Sequence, residues 1–499
     1  DERKRTTVGR KIAAVLVAVA AAIAVIVAVV VAITRERSSS AAPRIRSLAV
    51  LPFKPLATAQ RDETLELGMA DTLITRLAVI PELTVRPISA VRRYSRLEDD
   101  ALAAANELDV EGVVEGSIQR SGSRMRVTVR LVRTSDGRTV WSNRFDDEAG
   151  DLFAVQDRLA EQVAHALVPA LSPSRAAQMA RRATADLEAY ELYLKGRYWA
   201  SSKPERAEEF FRRAVERDPK FAAAWAGIAD TWLFRTRYRN VAPRAHVENA
   251  RAAAMKAVAL DPELAEAHAV LAQVYADHDW NWEGAETEYR HALELNPSSD
   301  AAHAHYAYFL LFIRRDFEGA LAHSRRAMRI DPLSPIWATV HTLVLDSAGR
   351  HDEAIAVAEE TLRVHPEFVP AFLHLGVAYT NGGKPRVALE KLREGLAIAP
   401  SALQLRALES WAHARAGDRR EALAILRELE ARGGELPAHN IALAWTALGD
   451  RDRAFAWLDR ACQERIFLLR IITVHPGFAP LRDDPRYADL LRRMNLAAP

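Results

Sequence analysis

The 499-residue sequence contains one cysteine, Cys462, and its formal net charge is only +2. A single cysteine excludes an intrachain disulfide framework and a zinc site built on cysteine ligands. The balanced charge gives no general electrostatic preference for nucleic acid. With 49% hydrophobic and 27% charged residues, the composition is that of a globular chain with room for about three domains.

Catalytic signatures are also missing from the sequence. It contains no glycine-rich phosphate loop, no nucleophile elbow and no HExxH motif. His303 and His305 are two residues apart, so they do not share a helix face. We therefore predict that the protein is not an enzyme and uses no metal or cofactor.

An uncharged apolar run occupies residues 12–33, between a basic tail at 1–11 and a linker at 34–46. At about 1.5 Å per residue the run reaches roughly 33 Å, enough to cross a hydrocarbon core of about 30 Å. It predicts a transmembrane helix. The alternative is a cleaved signal peptide, whose apolar core is usually about 7–15 residues, with SSSAAP at 38–43 as a cleavage region. Basic residues cluster more tightly before the run than after it. This asymmetry predicts that the N-terminus is cytoplasmic and that most of the chain lies outside the cytoplasm.

Residues 47–171 have the pattern of a small α/β domain with the order β-α-β-α-β-β-β-α. In the hairpin strand RMRVTVRLVR, the alternate residues Met125, Val127, Val129 and Leu131 are predicted to share the buried face. Arg124, Arg126 and Arg130 then form a stripe on the outer face. We interpret this stripe as solvated, with an anionic partner as the alternative.

Four segments of this domain resemble a known family. SLAVLPF, GMADTLITRLA, ELDVEGVVEGSI and VRLVRTSDGRTVWSNRFD are similar to the TolB amino-terminal-like (FlgO-like) periplasmic domain, over roughly 46–170. The resemblance implies a binding or assembly domain without catalytic residues. Together with the apolar run at 12–33, it predicts a single-pass protein of the bacterial inner (cytoplasmic) membrane.

Regularly spaced prolines mark the rest of the chain. Pro262, Pro297, Pro332, Pro366 and Pro400 are separated by 35, 35, 34 and 34 residues, and each follows an amphipathic helical stretch. A period of about 34 residues is that of tetratricopeptide repeats, with two antiparallel helices per unit. After a linker at 172–186, we predict an array of about eight units over 187–499, ending in a capping helix. The predicted fold is therefore mainly α.

Three irregularities interrupt the period. Two units are one residue too long, the first near Trp280–Trp282. The step from Pro219 to Pro262 is 43 residues, which predicts an insertion near 235–247 that makes specific partner contacts.

The first helix of each unit lines the concave face of such an array, so repeat position predicts which side chains face a bound peptide. Each of these residues could instead be an ordinary solvated side chain. They are Asp230, Gln273, Asp277, Tyr308, Asp346 and Asn381.

These features predict a membrane-anchored scaffold that binds protein or peptide partners outside the cytoplasm. The alternative is the sensory part of a signal transducer, since the architecture is similar to CadC-like transcriptional regulators with a winged-helix domain before the span. Similar tails also follow serine/threonine kinase and adenylate cyclase domains. The 11 residues before the span are too few for any of these, so nucleic acid is a partner only if an upstream domain exists.

Overall fold

The computed structural model describes residues 45–56, 61–121, 123–148, 152–168, 171–200, 203–238, 243–433 and 436–496. From Arg46 onward the chain forms one compact unit. The predicted span at 12–33 lies outside the described residues, as do the basic tail and almost all of the 34–46 linker. Within the described ranges, no helix combines the length and the apolar character needed to cross a membrane.

The α/β domain forms a mixed sheet covered by helices. Its strands are β1 (Ser47–Val50), β2 (Lys54–Pro55), β3 (Thr84–Val85), β4 (Gly112–Ser121), β5 (Arg124–Arg133) and β6 (Thr139–Glu148). Its helices are α1 (Glu63–Leu77), α2 (Ile88–Val91), α3 (Ala101–Glu107) and α4 (Leu152–Leu167).

The strand order is β3-β1-β4-β5-β6, with β1 parallel to both neighbours and β4-β5-β6 an antiparallel meander. The predicted inner face of β5 is confirmed, because Met125, Val127, Val129 and Leu131 are all buried. The strand that follows α1 is short. Thr84–Val85 pairs with β1, and Pro87, which has no amide hydrogen to donate, is the N-cap residue of α2.

The rest of the described chain is helical. The segment predicted as a linker at 172–186 contains α5 (Pro173–Met179), because Ser172 caps it by accepting a hydrogen bond from the Arg175 amide. Antiparallel helix pairs follow: α6 (Leu187–Trp199) with α7 (Pro204–Arg217), α8 (Ala222–Tyr238) with α9 (Pro243–Leu260), α10 (Ala265–Val274) with α11 (Trp282–Leu295), α12 (Asp300–Phe309) with α13 (Phe317–Ile330), α14 (Pro335–Ser347) with α15 (His351–Val364), α16 (Val369–Asn381) with α17 (Pro385–Ile398), α18 (Leu403–Ala416) with α19 (Arg419–Arg432), and α20 (Ala438–Ala447) with α21 (Arg451–Gln463).

These eight pairs within the described residues confirm the predicted number of repeats. In the most regular unit, a Cβ added to Gly376 would lie 2.5 Å from Cδ2 of Leu392, so α16 and α17 cross too closely for a side chain there. The 43-residue step is taken up largely by helix length, since α8 and α9 have 17 and 18 residues.

Both one-residue excesses become a turn of π-helix. The first covers Tyr275–Asp279 and the second covers Leu310–Arg314, each at the end of the first helix of its repeat. The wider turn absorbs one residue and changes the pattern of backbone hydrogen bonds. Each turn ends in a left-handed residue, Trp280 at φ 53° and Arg315 at φ 55°.

The C-terminal segment lies against these two turns. After α21 the chain forms 3-10 helices at Phe467–Thr473 and Pro476–Leu481, and then α22 (Pro485–Arg493). Arg470 donates to the Ala276 carbonyl at 3.4 Å, and the Thr473 hydroxyl donates to the Phe312 carbonyl at 2.8 Å. Arg465 also donates to the His278 carbonyl. The prediction of a simple capping helix was therefore incomplete, because the segment before α22 satisfies carbonyls inside the array.

Buried apolar side chains and a second set of hydrogen bonds also hold the C-terminal segment against the array. Leu469, Ile472 and Phe478 are almost fully buried. The Trp282 indole donates to the carbonyls of Met494 and Asn495 at 3.1 and 2.9 Å. The last described residues of the chain thus contact the third repeat, more than 200 positions earlier in the sequence.

The α/β domain contacts the turns that contain the regularly spaced prolines of the repeats. Ser298, beside Pro297, donates to the Leu83 carbonyl at 3.0 Å, and Ser89 donates to the Asp331 carboxylate at 2.7 Å. In α5, Gln178 donates to the Leu295 carbonyl at 3.2 Å. The repeat-to-repeat turns therefore form the edge on which the domain and its connecting helix dock.

The buried ion pair between Arg470 and Asp277, 2.9 Å apart, provides the first prediction. Replacing Arg470→Ala leaves the Asp277 carboxylate buried without this cation, so we expect the free energy of unfolding to fall by about 3–5 kcal/mol. Arg492→Ala is the matched control, because Arg492 is 71% exposed and pairs only with a neighbour on α22. We expect the control to change stability by less than about 0.5 kcal/mol in chemical denaturation. A decrease of less than about 1 kcal/mol in the free energy of unfolding of Arg470→Ala would contradict a stabilising role for the contacts between the C-terminal segment and the array.

Candidate functional site

A cavity of about 660 Å³ lies between the α/β domain and the concave side of the first four repeats. One wall comes from α1 and α2, and the opposite wall comes from α6, α7, α8, α10 and the start of α12. Its lining includes Tyr193, Leu194, Phe211, Ala226 and Val270, which form an apolar surface.

An ion pair across the two domains stands in this cavity. Asp71 on α1 and Arg197 on α6 are 3.0 Å apart, and the Asp71 side chain is only 7% exposed. The proximity of Asp71 raises the pKa of the Arg197 guanidinium, and Glu266 and Asp230 add to the effect. Arg197 is therefore held by the direct pair with Asp71 and also interacts with more distant carboxylates.

The carboxylates around Arg197 come from four different helices. Asp71 lies on α1, Asp230 on α8, Glu266 on α10 and Asp300 at the start of α12. Burial raises the pKa of the Asp300 carboxyl, although it accepts a hydrogen bond from the Trp337 indole at 2.7 Å. Within the described chain, Glu266 forms no ion pair.

The opposite end of the cavity is basic and aromatic. Arg206 lies over the Trp199 ring at 4.5 Å from its centroid, and Lys203 lies over the same ring at 5.0 Å. Trp199, Glu63 and Arg92 also line an adjoining cavity of about 320 Å³. The lining therefore carries opposite charge at its two ends, although its total charge is close to neutral.

The six residues predicted to face a peptide separate into two groups. Asp230 is exposed and lines the cavity, and Gln273 lines it while being only 4% exposed. The other four lie where the C-terminal segment packs, so they are not ordinary solvated residues. Whether any of the six contacts a peptide stays a prediction.

Contacts with the chain itself explain the second group. Asp277 pairs with Arg470, and the Tyr308 ring meets Phe467 edge-on at 5.7 Å. Asn381 donates to Asp346 at 2.8 Å and lies 3.4 Å from Nε2 of His475. The protein's own C-terminal segment thus packs on predicted groove positions in the third to sixth repeats.

Histidines in the array pair with each other and with aromatic rings. The Nδ1 atoms of His303 and His323 are 2.8 Å apart, and burial lowers the pKa of His303 to about 3. His305 instead meets the Trp337 ring edge-on at 5.8 Å. No group of three or more side chains suited to hold a metal ion occurs among the residues that the structure describes.

The arginine stripe on β5 pairs with acidic neighbours across the sheet. Arg126 donates to Asp146 at 2.5 Å, and Arg130 donates to Glu115 at 2.7 Å. The Arg126 hydrogen bond lowers the pKa of the Asp146 carboxyl. These exposed pairs support the interpretation of a solvated face.

Family comparisons match both parts of the chain. Residues 44–162 match the family described as HilA/YgeH-like transcriptional regulator, second domain. Residues 343–402 match the tetratricopeptide repeat family, so the chain carries tetratricopeptide repeats, as its period predicted. The resemblance of the first domain to TolB stays a prediction.

One similar relative is a Rhizobium meliloti (strain 1021) protein provisionally named adenylate cyclase 3, 30% identical over 188 residues. The match covers 37% of this chain and 32% of the relative, so the chain spans about a third of that protein's length.

Two solved structures are similar to parts of this chain. PilW, a type IV pilus biogenesis factor, is 20% identical, with a TM-score of 0.36 over 42% of this chain and 92% of its own. A tetratricopeptide repeat protein from Parabacteroides merdae is 14% identical, with a TM-score of 0.38 over 54% of this chain and 99% of its own. These likenesses concern the fold alone.

Of the nine charged residues of the cavity lining, sequence reasoning named only Asp230 and missed Glu63, Asp71, Arg92, Lys195, Arg197, Arg206, Glu266 and Asp300. Repeat position could have found Glu266, which is seven residues before Gln273 and so lies on the same helix face. No sequence signal identifies Asp71, because it belongs to another domain.

Asp331, at the domain interface, provides a pH-dependent prediction. Its carboxyl is 2% exposed and accepts hydrogen bonds from Ser89 and the Leu333 amide. Burial first, and then the nearby Asp300 charge, raise its pKa from 3.8 to about 6, against the opposing effect of Arg86. The folded state therefore binds more protons than the unfolded state between these pH values, and this group makes stability fall as pH rises through that interval.

We expect Asp331→Asn to raise the melting temperature at pH 7.5, because the amide removes the buried charge while its oxygen still accepts from the Leu333 amide and its nitrogen can donate to Ser89 Oγ. The gain should shrink as pH is lowered through about 6 toward 4. Asp352→Asn is the control, because the Asp352 side chain is 91% exposed. A constant difference between variant and parent from pH 4 to 7.5, measured by thermal denaturation, would contradict the raised pKa.

Proposed function

We propose that this chain is a non-enzymatic, membrane-anchored interaction protein whose cavity receives a segment of a protein or peptide partner outside the cytoplasm. The observation that carries the proposal is the division of the concave surface. The chain's own residues 467–481 contact the array from the third repeat onward, whereas other parts of the first four repeats, together with α1, enclose a cavity of about 660 Å³. That volume is in the range of sites that take small ligands or a few side chains.

The mixed lining favours binding over catalysis. Apolar and aromatic side chains provide contact area, and a few charged and amide groups give orientation. No described residue of the cavity forms a nucleophile–base pair of the kind that acyl transfer requires.

Site-specific photo-crosslinking tests this function. A photoreactive residue at Ala223, which lines the cavity and is half-buried, is expected to give a discrete partner adduct in cells. The same residue at exposed Glu216 on α7 is the control and should not give that adduct. Filling the cavity with Ala269→Phe should weaken the adduct from Ala223. An identical adduct pattern from both positions would contradict a partner in the cavity.

Membrane anchorage rests on the apolar run at 12–33 and has its own test. The full chain is expected to sediment with membranes and to require detergent for release, because a span of about 20 apolar residues inserts stably. A chain lacking residues 1–46 is expected to stay in the supernatant. Protease added to spheroplasts should digest the array; its protection there would contradict the proposed orientation.

A second candidate is the sensory part of a signal transducer. Two observations favour it: the match of residues 44–162 to a domain of transcriptional regulators, and the match of 188 residues to a protein provisionally named as an adenylate cyclase. A coding region upstream of Asp1 with winged-helix, cyclase or kinase motifs would favour this candidate over a scaffold.

A further inference from the structure

We propose that the acidic end of the cavity binds a basic side chain, a lysine or arginine of the partner peptide. This inference rests on the proposed function and specifies the chemistry of its site. The cationic group would lie between Glu266 and Asp300, with its aliphatic stem along the apolar wall.

Charge distribution is the first argument. The complete lining includes five carboxylates and four cations, so total charge does not decide the matter. The positions of the positive and negative side chains within the cavity decide it instead. Arg197 pairs directly with Asp71 at 3.0 Å, and two further carboxylates of the same lining, Glu266 and Asp300, interact with it electrostatically.

The remaining cations lie toward the other end. Arg206 is held over the Trp199 ring, and Lys195 shares a helix face with Tyr198 and Trp199. Arg92 borders the adjoining cavity. They are therefore arranged around the aromatic end, not around the carboxylates near Arg197.

Gln273 is the second and independent argument. Its side chain is 96% buried and lines the cavity, yet its amide has no hydrogen-bond partner among the described residues. Buried polar side chains are almost always hydrogen-bonded, so an unpaired amide at a cavity wall indicates a ligand that completes it. Its carbonyl oxygen can accept a hydrogen bond from an ammonium or guanidinium group.

The apolar wall matches the stem of such a side chain. Lysine and arginine carry three or four methylene groups that pack on apolar surface while the charged end remains paired. Tyr193 and Val270 offer such a surface in the same cavity as Glu266. The Tyr193 ring can also attract a cation through its face.

Ligand-observed saturation-transfer NMR on the full chain tests the proposal. The probes are the peptide acetyl-Gly-Gly-Lys-Gly-Gly-amide, its norleucine analogue, which lacks the amine, and free lysine amide. We expect the lysine peptide to bind at least about tenfold more tightly than the norleucine peptide, since hydrogen bonds to charged groups carry that difference. Binding should weaken at high salt.

Two variants and one control complete the design. Glu266→Gln and Gln273→Leu are each expected to weaken the lysine peptide by about tenfold while preserving side-chain size and the helical circular dichroism spectrum. Glu216→Gln removes one acidic charge from an exposed position on α7 outside the cavity and should leave the affinity unchanged.

Several outcomes would overturn the proposal. These are no saturation transfer to either peptide at millimolar concentration, equal binding of both peptides, or insensitivity to both cavity variants. Lysine amide binding as tightly as the peptide would assign the site to a small amine and overturn a peptide ligand. A partner adduct from Ala223 that survives Glu266→Gln would preserve the proposed function while rejecting the basic side chain.

Discussion

The closure of the repeat array by its C-terminal segment is the constraint on which the rest of the structure depends. Two π-helical turns disturb the normal pattern of carbonyl acceptors, and Arg465, Arg470 and Thr473 donate to carbonyls in or beside those turns. Buried polar groups without partners are costly, so the turns and the segment require each other. The Arg470–Asp277 pair, with both side chains nearly inaccessible, fixes their register.

This closure decides which part of the concave surface is open. A tetratricopeptide array usually offers a continuous groove along its repeats. Here the segment packs on Tyr308 and lies beside Asn381, while the α/β domain docks on the turns near Pro297 and Pro332. What remains is a cavity shared by two domains.

Because the cavity has one wall from each domain, its contents can influence how the domains are held together. Asp71 and Arg197 join α1 to α6 directly, and Asp300 and Asp331 interact electrostatically near the Ser89 contact. A cation bound near Asp300 would change the charge balance at this interface.

The sequence by itself determined the repeat period, the number of units, the buried face of the β5 hairpin and the small residue at Gly376, because these depend on local periodicity and side-chain size. It also identified the two units that are one residue too long. Only the tertiary structure decided that the extra residues become π-turns held by a segment more than 150 positions away, and that Asp71 joins Glu266 and Asp300 in one cavity. Sequence patterns report which face of an element is buried, but they do not report which distant element covers it. For the same reason, repeat position alone did not separate the two predicted groove residues in the cavity from the four beside the C-terminal segment.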